Sequence, residues 1–169
     1  MAKTYTRTGD DGSTSHPLSG RTSKNDPVVE VLGLFDEAQV AIGYALSLSN
    51  EPVFAQLKSS LIHSIDVLFL CADASPSAVL ITDEVSSLER AIDELQEVLA
   101  PLSSFIRPTG CDLTCRLHAA RVAVRRLERG LWRAIERDDW ASSDAAPYLN
   151  RLSDYLFVAA RWVDEIDHG

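Results

Sequence analysis

Between Leu117 and Leu131 the apolar residues Leu117, Ala120, Val124, Leu127 and Leu131 recur at intervals of three and four. At about 100° per residue these five share one face of an α-helix, and a face of that kind has to be buried. The period recurs at Leu57, Leu61, Ile65 and Leu68, and again at Val85, Leu88, Ile92, Leu95 and Leu99. No stretch shows strand alternation flanked by hairpin turns. Long amphipathic helices joined by short connections pack as antiparallel neighbours. The expected fold is therefore all-α, a five-helix antiparallel bundle.

The breaks place the helices. Asp26 is the N-cap of a first helix starting near Pro27, a residue suited to a first helical turn, and running to about Ser49. A second runs from near Pro52 to about Ala72, ended by Ser75-Pro76-Ser77. A third follows Thr82 and runs through Leu99. Pro101 and the Phe105–Gly110 segment connect it to a fourth, from about Cys111 to Glu136. The fifth spans roughly Ala145 to Asp164, with Pro147 in its first turn. Ahead of them lies a polar leader of about 25 residues holding Gly9, Gly12 and Gly20, read as loop with a short extended piece. With 169 residues the chain forms one domain, residues 1–25 as leader and 26–169 as bundle.

Charge narrows the partners. The net charge is −9, and a nucleic-acid binder needs surplus Lys and Arg, so nucleic acid is excluded as the main partner. A phosphate site has to come from a local basic cluster. The N-terminus lacks the apolar stretch of a secretory signal. No run approaches the ~18 apolar residues of a membrane helix. Three cysteines are an odd count for a disulfide framework and suit a reducing cytoplasm.

Such a cluster borders the seam of the fourth helix. His118, Arg121, Arg125, Glu128 and Arg129 lie on the arc beside Leu117, Ala120 and Val124. One reading is a solvated face with Glu–Arg pairs three and four apart. The other is that cations bordering a core have partners, because an unpaired one there is costly. The partner is then either a carboxylate on a neighbouring helix or a bound polyanion; the planar guanidinium suits both. Asp36, beside the apolar arc of Leu32, Phe35 and Ile42, is either such a carboxylate or a surface residue.

The leader Thr6-Arg7-Thr8-Gly9-Asp10-Asp11-Gly12-Ser13-Thr14-Ser15 combines glycines with hydroxyls. Glycines let backbone N–H groups converge on an anion, and Lys24 follows within reach of the same phosphates. The arrangement is not a Walker A loop, and by composition alone an ordinary polar arm reads equally well. Cys111, Cys115 and His118 fall on one side of the fourth helix at four- and three-residue spacing. They are good zinc ligands, but no fourth is evident and one helix rarely closes a tetrahedral site, so no metal is assigned. Trp132, Trp140 and Trp162 read as packing residues.

Taken in order, these pieces resemble the PduO-type ATP:cob(I)alamin adenosyltransferase family. Thr6-Arg7-Thr8-Gly9-Asp10-Asp11-Gly12-Ser13-Thr14 is similar to its Thr-x-Thr-Gly-Asp-x-Gly-x-Thr opening, and Arg21-Thr22-Ser23-Lys24-Asn25-Asp26 to its Arg-x-x-Lys-x-Asp element. Gly33-Leu34-Phe35-Asp36-Glu37 is similar to its Gly-x-x-Asp-Glu helix. Phe105-Ile106-Arg107-Pro108, then Leu117-His118-Ala119-Ala120-Arg121 with Arg125-Arg126-Leu127-Glu128-Arg129, follow its fourth-helix signature. Tyr148-Leu149-Asn150-Arg151 completes the match.

The resemblance implies a five-helix bundle assembled as a homotrimer with sites between subunits. It implies transfer of the 5′-deoxyadenosyl group of ATP to cob(I)alamin, with Mg²⁺, giving adenosylcobalamin and triphosphate. Nucleotide contacts carried over from the leader are Thr6, Arg7, Thr8, Gly9, Thr14, Ser15 and Lys24. Those from the helices are Arg125, Arg126, Glu128, Arg129 and Asn150. Asp36 and Arg121 are the implied interface ion pair, and Phe105 the aromatic residue below the corrin that keeps the lower axial ligand off cobalt. The implied partners beyond ATP and corrinoid are an electron-donor protein and an adenosylcobalamin-dependent acceptor enzyme. The alternative function is a non-catalytic trimeric sensor or carrier of ATP or adenosylcobalamin with the same fold.

Overall fold

A computed structural model describes residues 5–16, 20–72, 78–137, 140 and 143–168. The expected five helices are present: α1 (Pro27–Leu48), α2 (Ala55–Ala72, entered by a 3₁₀ turn at Pro52–Phe54), α3 (Ala78–Glu97), α4 (Asp112–Ile135) and α5 (Ala145–His168). Around the bundle α2 packs on α1, α1 on α4, α4 on α5, and α5 on α3. The seam foreseen on α4 is the centre of the core. Leu117, Ala120, Val124, Leu127 and Leu131 are fully buried, facing Leu34, Phe35 and Ile42 of α1 and Leu149, Leu152 and Leu156 of α5. Each buried leucine of this kind contributes roughly 1.5–3 kcal/mol relative to exposure.

α1 and α4 approach closely because Gly130 lacks a side chain. A Cβ there would collide with Leu34 Cδ1. Asp26 caps α1 as expected, accepting from the Val28 amide at 2.9 Å. Its second oxygen accepts from Thr22 Oγ1 at 2.8 Å, so one carboxylate both starts the helix and fastens the leader to it.

The short extended piece expected within the leader is two paired strands. It forms a hairpin, β1 (Ser13–His16) paired antiparallel with β2 (Gly20–Ser23), Thr14 opposite Thr22. Ser, Thr and Arg on an exposed two-stranded ribbon carry no apolar alternation, so the pattern that announces a strand is missing. The Ser75–Ser77 break of the sequence reading lies outside the described residues apart from its neighbours. α3 begins at Ala78, about a turn before Thr82, because Ile81 is itself buried in the core. It ends at Glu97, leaving Leu99 buried beyond its last turn, and α5 continues to His168.

Trp140 and Trp162 pack as expected, on Phe35 and Phe54 respectively, whereas Trp132 is substantially exposed. One expectation needs correcting: Pro27–Leu48 and Pro52–Ala72 are long and apolar enough to cross a membrane. Interspersed polar residues hid this from a search for unbroken apolar runs. In the bundle each turns an apolar face inward, Phe35, Ala38 and Ile42 on α1 and Leu61 and Leu68 on α2.

Gly130→Val should force α1 and α4 apart and lower stability by about 1–3 kcal/mol, read as a lower urea midpoint with an unchanged slope.

Candidate active site

The leader closes on itself. Lys24 Nζ donates to the Gly9 carbonyl at 2.8 Å, and the Lys24 amide donates to the Gly12 carbonyl at 2.9 Å. Thr6 and Thr8 share a hydroxyl–hydroxyl bond of 2.9 Å. Lys24 has no carboxylate partner among the described residues, so its ammonium stands beside the Gly9 turn free to meet an anion. Arg7 adopts a left-handed φ of 61°, an uncommon conformation for a residue with a side chain. Thr14 and Ser15 lie on β1, continuing from the same turn.

The sequence reading missed what holds this turn. Arg21 donates to the Thr8 carbonyl and to Ser13 Oγ, and lies 3.4 Å from Asp11. Asp11 in turn accepts from the Ser13 hydroxyl at 2.6 Å and amide at 3.0 Å. The hydroxyl bond, then the amide bond, holds the Asp11 carboxyl below its ordinary value of 3.8. The signal was in the Arg-x-x-Lys element, where Arg21 went unassigned.

A second group lies between α4 and α5. Asn150 Nδ2 donates to Glu128 Oε1 at 3.3 Å, and Arg151 donates to Asn150 Oδ1 at 2.9 Å and to Glu89 of α3 at 2.8 Å. Glu128 and Asn150 are thus oriented by a chain of bonds crossing three helices. Arg125 and Arg129, one turn apart and exposed, have no ion pair among the described residues. Like Lys24, they are cations with no internal carboxylate. No hydrogen bond or ion pair among the described residues joins the leader to Arg125, Arg129 or Asn150. Lys24 instead shares a concavity of about 410 Å³ with Gly130 and Arg133 near the end of α4.

Arg126 and Arg121 differ in the partners they have within the chain. Arg126 points to α1, where Glu37 binds it at 3.0 Å and Glu30 lies at 3.9 Å. Arg121 is half-buried, its guanidinium 6.0 Å from the Phe157 ring and its Nε sealed from solvent with no acceptor. Burial first, then the neighbouring Arg125, pulls its pKa below the ordinary arginine value. Asp36 is exposed on α1, and the two do not pair within one chain.

Phe105 sits on the α3–α4 connection, its side chain wholly in solvent. Beside that connection an open concavity of about 500 Å³ runs along α4, lined by Pro108, Cys115, His118, Arg121 and Val122. Phe157, absent from the sequence reading, faces both His118 and Arg121. Cys111 bonds locally to Thr114 Oγ1 and Cys115 to the Gly110 carbonyl. Among the described residues no three His, Cys, Asp or Glu side chains form a metal-holding group. His118 is only 5% exposed, and burial, then Arg121, lowers its pKa, opposed by Asp164.

Fold and geometry together define a helical bundle that presents two sets of cations with no carboxylate partner among the described residues, and one solvent-facing aromatic loop. The cobalamin adenosyltransferase family model matches residues 4–163. The corrinoid adenosyltransferase of Bacillus subtilis is 38% identical, over 96% of this chain and 86% of its own. Human corrinoid adenosyltransferase MMAB is 34% identical, over 96% of this chain and 69% of its own. Among solved structures, a histidine-for-phenylalanine variant of the PduO-type ATP:corrinoid adenosyltransferase from Lactobacillus reuteri, complexed with cobalamin and ATP, superposes with a TM-score of 0.87. It is 30% identical, with 98% of this chain and 93% of that one covered. The chain belongs to the cobalamin adenosyltransferase family.

His118 supplies a stability test. Its folded pKa lies below the ordinary 6.5, so the unfolded chain binds the proton more readily. Stability should fall as pH drops below 6.5 toward the folded value, and His118→Gln should flatten that part of a melting-temperature profile.

Proposed function

We propose that this chain transfers the 5′-deoxyadenosyl group of ATP to the cobalt of a reduced corrinoid, releasing triphosphate. The observation that carries the reading is the set Lys24, Arg125 and Arg129, three cations with no carboxylate partner among the described residues of an acidic chain of this family. The Co(I) electron pair forms the bond to ribose C5′, the C5′–O bond breaks, and its electrons leave on the triphosphate oxygen. The nucleophile is the substrate's own metal, so no Ser, Cys or His nucleophile is required of the protein. Its work is placement and stabilisation of negative charge on the leaving group.

The leader residues Thr6, Arg7, Thr8, Gly9, Thr14 and Ser15, with Lys24, hold the phosphates by backbone N–H groups, hydroxyls and the ammonium. Arg125 and Arg129 meet the same polyanion, while Glu128 and Asn150, fixed by Arg151, supply acceptor and donor for the nucleoside. Arg126, engaged by Glu37, serves chiefly to fix α4 on α1. The hydroxyls of Thr6, Thr8 and Thr14 would help hold Mg²⁺ beside the bound phosphates, where the ion would supply charge neutralisation for the leaving group.

The leader and the α4–α5 group meet in a homotrimer, the leader of one copy facing α4 and α5 of the next. Arg121 with its sealed, acceptorless Nε and the exposed Asp36 pair across that contact. The exposed Val40, Tyr44 and Val122 suit the same interface. Phe105 stands below the corrin and fills the lower axial position, which leaves cobalt without a lower donor and easier to reduce. A donor protein delivers the electron, and the product passes to an adenosylcobalamin-dependent enzyme. The free cysteines Cys71, Cys111 and Cys115 suit a reducing compartment such as the cytoplasm.

Anaerobic mixing with ATP, Mg²⁺ and cob(I)alamin should yield the adenosylcobalamin spectrum; bound ATP with no product would mean a sensor or carrier. Arg125→Ala should lower kcat/KM for ATP by about 10²–10³-fold, as loss of one charge-stabilising donor does elsewhere. Asp36→Arg and Arg121→Asp should each weaken the trimer in ultracentrifugation, and the double variant should restore it in part.

A further inference from the structure

Phe105 packs against none of the described residues, so the backbone that carries it sets its place. Leu102, Ser103, Ser104, Ile106 and Arg107 beside it are also exposed. One turn of α5 reaches both ends of the connection, by a hydrogen bond at the first and by close packing at the second. At the α3 end, Arg161 Nη2 donates to the Ala100 carbonyl at 2.6 Å, next to the buried Leu99. At the α4 end, Gly110 has a φ of 139°, and the Asp164 carboxylate occupies the space its Cβ would fill. Arg161 and Asp164 are three residues apart and so share one helix face. Between these anchors a polar cavity of about 230 Å³ lies under the loop, reached by Thr109, Thr114 and His118.

We propose that Arg161, aided by Asp164, is a positioning residue for Phe105. A charged donor on a backbone carbonyl is stronger than a neutral bond, and here it holds the loop five residues before the ring. Its loss lets the ring drift from the lower face of the corrin, without touching Lys24, Arg125 or Arg129. The inference rests on the reading of Phe105 given above and names a group that reading does not contain.

The test uses the full chain with saturating ATP and cob(II)alamin, the spectra taken without and the turnover with a one-electron chemical reductant. Absorption and paramagnetic resonance spectra report whether cobalt keeps a lower ligand, alongside kcat, KM for ATP, and a melting curve for each protein. Arg161→Ala should lower kcat from cob(II)alamin about tenfold and shift the spectra toward those of Phe105→Ala. KM for ATP should stay within about twofold of the parent. Arg161→Lys, which can still donate to Ala100, should recover most of the loss. If Phe105→Ala changes the spectra and Arg161→Ala does not, the strap is wrong and the Phe105 reading stands. If Phe105→Ala leaves the spectra unchanged, the Phe105 reading falls and this inference with it. A fall in melting temperature with a higher KM for ATP and unchanged spectra would make Arg161 merely structural and overturn the proposal. Should Arg161→Ala not fold, Gly110→Ala displaces the other anchor with Arg161 in place and carries the same expected and overturning spectra.

Discussion

The contact of α4 with α1 at Gly130 is the constraint on which the remaining arrangement depends. Leu34 occupies the space a side chain would take there. With that approach fixed, the buried seam from Leu117 to Leu131 has one rotational setting. The two flanks of α4 then follow without freedom. Arg126 faces Glu37 on α1, and Glu128 faces Asn150 on α5. Arg121, Arg125 and Arg129 fall along the α5 side of the same helix. A rotation of α4 large enough to redirect these cations would expose apolar residues worth roughly 1.5–3 kcal/mol each, so the core holds the charged groups as firmly as it holds itself.

The placement of unpaired charge separates two kinds of basic residue. Arg126, Arg151 and Arg21 are committed to partners in the chain. They shape the halves of the site. Lys24, Arg125 and Arg129 have no carboxylate partner among the described residues, and Lys24 bonds the Gly9 carbonyl instead. Exposure makes that inexpensive in the free chain, since water solvates each cation. A phosphate arriving among them replaces water with fixed charge and meets donors already in place. The net charge of −9 sharpens the distinction, because free carboxylates abound and none has been placed on these three. Arg121 belongs to neither kind. Its sealed Nε has no acceptor among the described residues, which is the feature the proposed pairing with Asp36 of another copy addresses.

Legibility from sequence followed the range of the interaction. The α4 seam, the Asp26 cap and the helix count were plain because each is set by spacing or by a residue acting within a turn of itself. The hairpin of Ser13–His16 with Gly20–Ser23 was not, since exposed polar strands carry no period. The start of α3 was displaced because burial of Ile81 adds a turn that propensity does not announce. In the site, residue types were legible and commitments were not. Nothing in the order Arg125-Arg126 says that the first faces solvent and the second meets Glu37; that depends on the roll of α4 against α1. Arg21 and Phe157 were overlooked because their partners lie on other elements.

The two chemical tasks also sit on different kinds of backbone, for a physical reason. Stabilising a leaving triphosphate rewards donors that do not move; in the proposed reading α4 supplies Arg125 and Arg129, and the Gly9 turn, closed by Lys24 and Arg21, supplies the rest. A corrin is large, and a group beneath it has to admit and release that bulk. A helix cannot yield in this way without breaking its own hydrogen bonds, whereas a connection fixed only near Ala100 and Gly110 can. In the proposed role Phe105 is suited to a loop, and a loop-borne ring needs anchors close to its ends. Arg161 and Asp164 are half-buried on α5, next to the buried Ala160 and Val163, so the proposed strap ties that loop to a helix packed in the core.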